Sequence, residues 1–417
     1  MEIAVNDFLR LGFKESNNEN IKAYKNYISK NEAFLALGAG INKRVGLPQW
    51  EGLITELMLQ CICQSAFHYN KCDLCSDNER CGINREKQQR NFFDTFFKIA
   101  NSSPKVFKDI NSLESAEYVL KHLEKLCGRY RGDELIVEEA ETKTMGKRTL
   151  ANMVLHILML SYRKKEITLK EEDKPDWETL INTARLSVAV KHVLTYNYDD
   201  GIEKCLTDKN TDYDSKGVRD CNYKDSPKSP VIYHVHGRLP VFGIEECDND
   251  FKDGIILSES SYLNLEWAYM DRINSCQATL FYKRHGLFVG FSRTDNNFRR
   301  ILQHMSQTDS VDYERRRVYA QENSDFRANG YIPDKPLPTH FILVSINKLI
   351  DSLLSDYIKT DKSGNITEKN LYTSEAKARI CMMDELLQAQ SAYLIQHGLF
   401  PIFVTYQDIP LILDSLA

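Results

Sequence analysis

Two residues of this chain have side chains suited to chemistry on a bound small molecule, and both follow short apolar runs. His236 comes directly after Val231-Ile232-Tyr233-His234-Val235 and precedes Gly237. Asn197 lies in Thr195-Tyr196-Asn197-Tyr198-Asp199, directly after His192-Val193-Leu194. A histidine titrates near neutral pH and serves as a general base. An asparagine offers a donor and an acceptor, and so orients a hydroxyl or a water. Two further runs end in the same way. Ala33-Phe34-Leu35-Ala36-Leu37 leads into Gly38-Ala39-Gly40, and Leu287-Phe288-Val289 leads into Gly290-Phe291-Ser292, with Asp295 beyond. Glycines after a strand let the backbone approach a phosphate or ribose with no side chain in the way.

Each cluster alone has a plainer reading. Gly38-Ala39-Gly40 lacks the third glycine of the dinucleotide fingerprint and is not a Walker loop, so a tight turn explains it equally. Asn197 and Asp199 fit the cap of a helix beginning near Gly201, and Ser292 with Asp295 fits another. His234 competes with His236, and both fit a satisfied core. The order of the clusters carries more weight. If the runs are parallel strands, all four clusters open onto one sheet edge, where open α/β sheets bind ligands.

The elements that position these clusters alternate between strand and helix. Helical spacing is read at 49–63, 113–126, 149–162, 177–186 and 374–396, with further strands at 255–257, 341–344 and 401–406. Residues 204–230 read as loop. The predicted fold is α/β, a Rossmann-like doubly wound parallel sheet with helical insertions. A single domain spanning 1–417 is expected, with a Cys-rich helical insertion at about 61–110. The 417 residues carry a net charge of −5, which gives no electrostatic reason for direct nucleic-acid binding. Eleven cysteines, unevenly spread, suit a reducing compartment. No stretch approaches the length of a bilayer span and no signal peptide is read, so the expectation is a cytoplasmic protein with no membrane contact.

Taken in order, the motifs resemble the sirtuin family, and more closely its divergent bacterial branch. Gly38-Ala39-Gly40-Ile41 is similar to the family's Gly-Ala-Gly-Ile loop, and Gly46-Leu47-Pro48 to its Gly-Ile-Pro. Thr195-Tyr196-Asn197-Tyr198-Asp199 resembles Thr-Gln-Asn-Ile-Asp. His236-Gly237 resembles the pair carrying the catalytic base, and Gly290-Phe291-Ser292 the turn that holds the adenosine ribose. The stretches 256–262 and 287–295 look like the bacterial branch in particular. The resemblance implies NAD+ as substrate and Asn197 and His236 as catalytic. It places Gly38, Ala39, Gly40, Asn42, Pro48, Trp50, Asp199, Gly290, Ser292 and Asp295 around the dinucleotide. It also implies an NAD+ hydrolase of antiphage defence, gated by homo-oligomer assembly or by a separate partner such as a HerA-type ATPase.

The departures from the family pattern bear on activity. Asn42 stands where deacylases carry serine, and Gln49-Trp50-Glu51 where they carry Asp-Phe-Arg. Only Cys247, Cys276 and Cys381 follow His236, with no Cys-x-x-Cys pair, so the zinc module that helps form an acyl-lysine cleft is missing. Deacylation and non-catalytic nucleotide sensing are the alternatives to hydrolysis. Before His236, Cys72-Asp73-Leu74-Cys75 has the spacing of a zinc knuckle, and Cys63 and Cys81, with His68 nearby, are the candidates to complete a structural site. A cysteine-rich helical insertion without metal is the other reading of that cluster.

Overall fold

The computed structural model describes residues 13–69, 118–119, 139–167, 174–243, 255–257, 267–291, 339–354, 358–360, 366–368, 374–396 and 398–417. Among the described residues seven strands form one sheet: β1 (Ala33–Leu37), β2 (His192–Thr195), β3 (Asp214–Lys216), β4 (Val231–His234), β5 (His285–Val289), β6 (His340–Ser345) and β9 (Leu399–Val404). Their order is β3-β4-β2-β1-β5-β6-β9, and every pairing is parallel. Two short strands, β7 (Ile358–Thr360) and β8 (Ile366–Glu368), form a separate antiparallel pair. This is the predicted α/β doubly wound sheet.

Central parallel strands are buried on both faces, which is why β1 and β5 read as unbroken apolar runs. Alternate residues of β1 serve the two faces. Ala33, Leu35 and Leu37 join one core, and Phe34 and Ala36 the other. The first core is covered by α1 (Phe13–Ser29), α2 (Trp50–Tyr69), α3 (Glu139–Glu166), α4 (Glu178–Val190), α5 (Gly201–Thr207) and α9 (Asp408–Leu416). The second is covered by α6 (Trp267–Lys283), α7 (Asn347–Leu354) and α8 (Ser374–Gln396). Lys191, at φ 62, stops α4 with a left-handed residue and feeds the chain straight into β2.

Several boundaries differ from the sequence reading. Residues 204–230, read as loop, contain β3, whose polar Asp214-Ser215-Lys216 is half-buried on the sheet edge. Residues 255–257 are buried but form no strand. The helices at 50–69 and 139–166 run longer than their apolar spacing indicated. Of the helix read at 113–126 only Tyr118 and Val119 are described, and they are helical. Among the described residues no helix is long and apolar enough to cross a membrane.

Candidate active site

From β1 the chain builds one half of the sheet, then returns to β5 on the other side of β1. The C-terminal ends of β1 and β5 therefore form the topological switch point, where open sheets leave a crevice for a ligand. The two chain segments touch there. Gly38 donates its N–H to the Val289 carbonyl at 2.9 Å, and Gly40 to that of Gly290 at 2.8 Å. A Cβ on Gly38 would lie 2.7 Å from the Gly290 oxygen, and one on Gly40 2.8 Å from the Gly290 Cα. Gly290, at φ +78, would put a Cβ 2.7 Å from the Gly38 oxygen. The missing side chains at 38 and 40 are thus filled by the backbone of Gly290. That is a different physical reason for these glycines from the phosphate approach expected of them. Ala39–Asn42 then forms a 3-10 turn.

Asn197 sits beside this junction and is 7 % exposed. Its Nδ2 donates to the Gly38 carbonyl at 3.2 Å, and its backbone N–H to Thr195 Oγ1 at 3.1 Å. Its Oδ1 is buried with no hydrogen-bond partner. Asn42 repeats the pattern: Nδ2 donates to Asp199 Oδ2, and Oδ1 is buried without a partner. Asp199 also accepts the Gly201 N–H on Oδ1 at 3.1 Å and so supports the start of α5, whose N-cap residue is Asp200. Burial, with the charges of Asp200 and Glu203, pushes its carboxyl up to about 7 against the pull of the Gly201 N–H and His234. Asn197 bonds to the glycine loop and not to the helix. Two buried acceptor oxygens near one glycine turn are arranged to receive hydroxyl or amide hydrogens, since leaving them unpaired is costly.

His236 and His234 have separate surroundings. The His236 ring meets Tyr196 edge-on, with centroids 5.1 Å apart, and lies tilted over Tyr198 at 6.3 Å. Its carbonyl accepts the Ile256 N–H at 2.9 Å, while Tyr198 Oη donates to the Ile256 carbonyl at 2.7 Å. The apolar run at 255–257 thus clamps the segments carrying Tyr198 and His236 instead of extending the sheet. Burial pushes the His236 imidazole down to about 4, with the Tyr196 main chain pulling the other way. It is neutral at pH 7 and its lone pair is unprotonated. His234 has both ring nitrogens engaged, Nε2 with Glu203 Oε1 at 2.6 Å and Nδ1 with the Asn197 carbonyl at 3.3 Å.

The structure therefore joins Gly38, Gly40, Gly290, Asn42, Asn197 and Asp199 through direct contacts. His236 joins them through Tyr196, whose ring also meets Phe291 at 5.4 Å. Pro48 and Trp50 are half-buried at the start of α2, with Trp50 against the first core. Ser292 and Asp295 lie outside the described residues, as do Cys72, Cys75 and Cys81; Cys63 lies on α2 with no side chain described. Among the described residues no group of three or more His, Cys, Asp or Glu is placed to hold a metal. The sequence reading missed Glu203, Tyr196 and Ile256 as parts of the site. Tyr196 and Tyr198 flank Asn197 in the motif itself, so a signal was present, but Glu203 carried none.

A doubly wound parallel sheet with buried polar groups at its switch point defines a nucleotide-type site. Residues 191–332 match the family model for the SIR2-like domain. The matched stretch includes Asn197, Asp199, His236, Gly290, Ser292 and Asp295. Sirtuin-like domains use NAD+, so the match fits an NAD-related activity. No curated protein matches the chain.

Proposed function

We propose that the protein hydrolyses NAD+ at the nicotinamide–ribose bond. The observation that carries this reading is Asn197, anchored through Nδ2 on Gly38 while its buried Oδ1 is left to accept from a ligand. In the reaction the C1′–N bond breaks and its electron pair leaves with nicotinamide. Water adds at C1′, and its proton passes to a base. Asn197 Oδ1 accepts from the ribose hydroxyl or the attacking water and fixes its direction. His236 is the base, already neutral through burial. An imidazole at about 4 is a weak base at pH 7, but the dinucleotide's phosphates favour its protonated form and raise it toward its ordinary range. The surrounding Tyr196 and Tyr198 exclude bulk water from the cationic transition state.

The same low basicity favours a second reading, a nucleotide sensor that binds NAD+ without turnover. Product analysis separates the two. Incubation with NAD+ should release equimolar nicotinamide and ADP-ribose at a rate unchanged by an acetylated peptide. A requirement for the peptide would indicate deacylation, and binding without any product would indicate the sensor.

The proposal extends to control. An ungated NAD+ hydrolase would exhaust the NAD+ of its own cell, so activity requires a gate, supplied by self-assembly or by a separate partner such as an ATPase. The role in antiphage defence belongs to the same reading.

A further inference from the structure

We propose that His234 and Glu203 form a positioning pair that holds the Asn197 backbone in register with Gly38, a role that rests on the NAD+ cleavage reading. Both residues are 1 % exposed. Glu203 lies on α5, directly after the catalytic segment, and His234 ends β4, so the pair ties the helix to the strand. A backbone carbonyl only accepts hydrogen bonds, so the contact of His234 Nδ1 with the Asn197 oxygen requires a proton on Nδ1. Glu203 is ionised. Burial alone would raise its carboxyl, but the charge and hydrogen bond of His234 and the charge of Arg238 outweigh it and hold the group at about 2. Its Oε1 closes the other side of the ring, 2.6 Å from Nε2. Glu203 Oε1 takes a further hydrogen bond from Ser215 Oγ at 2.8 Å, with Arg238 4.0 Å away. The carboxylate thereby fixes the ring, and the ring holds the Asn197 carbonyl while the side-chain amide of Asn197 holds Gly38.

Two substitutions at 234 separate positioning from stability. Asparagine places an amide nitrogen near the position of Nδ1 and keeps a donor for Asn197, but no longer reaches Glu203. Glutamine reaches toward Glu203 and gives up the Asn197 contact. His234→Asn should therefore keep kcat for nicotinamide release within about threefold of wild type, whereas His234→Gln should lose on the order of 10- to 100-fold in kcat with little change in KM. Thermal stability should run in the reverse order, His234→Gln above His234→Asn, because glutamine keeps a buried carboxylate paired. If kcat and stability fall in the same order, or if His234→Gln turns over like wild type, the positioning role is overturned. A crystal structure of His234→Gln supplies a readout independent of turnover. Asn197 should leave the Gly38 carbonyl, and an unchanged contact would reject the pair. Failure of the cleavage reading shows differently, as wild type and Asn197→Ala equally silent with NAD+.

Discussion

At the scale of single residues, the site is organised by which polar atoms have partners and which do not. Asn42 and Asn197 each spend their amide nitrogen on a neighbour and leave the oxygen buried without a partner. Asp199 receives the Asn42 amide and is pushed up to about 7, chiefly by burial. A carboxyl raised above its unfolded value loses stability as pH climbs from about 4 to about 7, where the native state still holds a proton that the unfolded chain has released. Asp199→Asn imitates the protonated form, and Asn42 can turn its amide to present the free oxygen. The variant should therefore unfold at a higher temperature than wild type at pH 8 and lose that advantage at pH 4, as read by thermal melts at both pH values. A uniform loss at both would mean that Asp199 is held as a carboxylate by partners it cannot do without.

At the scale of elements, the close approach of the turns after β1 and β5 sets the crevice. Gly290→Ala must accept a positive φ and also push its Cβ into the Gly38 oxygen and the Ile41 nitrogen, both 2.7 Å away. Gly243 shares the backbone problem at φ +83 but has nothing within 4 Å of its Cβ. The backbone strain of about 1–2 kcal/mol is common to both alanine variants. Gly290→Ala should then be the more destabilised in urea titration, and it alone should lose affinity for NAD+; equal losses would show that the contact between turns yields cheaply. Much of this framework was legible in the sequence because strands buried on both faces leave unbroken apolar runs, as in Ala33–Leu37 and Leu287–Val289. Edge strand β3 was not legible, since Asp214-Ser215-Lys216 has no apolar face to bury. Three apolar residues at 255–257 announced burial but not their partner, which is the His236 carbonyl and not a strand. The four clusters were found from their places after strands. The Glu203–His234 contact joins residues far apart in sequence and left no local pattern.

For the molecule as a whole, three of the described histidines are buried in uncharged form and should weaken stability in acid. Burial pushes His236 down to about 4, and His192 and His340 to about 3. As pH falls below about 6.5 the unfolded chain binds these protons first, so each depressed histidine withdraws stability down to its folded value. Asp199 acts in the opposite direction between about 4 and 7, but it is one group against three. The unfolding temperature should drop steadily from pH 7 to pH 5, and a flat profile would mean that these rings are solvated. Function, too, is read on the whole chain, and the most direct test of the account is nicotinamide release from NAD+ by wild type, Asn197→Ala and His236→Ala side by side. Wild-type turnover, with each variant folded and slower by on the order of 100-fold or more, is the predicted result. Nicotinamide release at the wild-type rate by either variant would contradict the assignment of Asn197 and His236 as the catalytic pair.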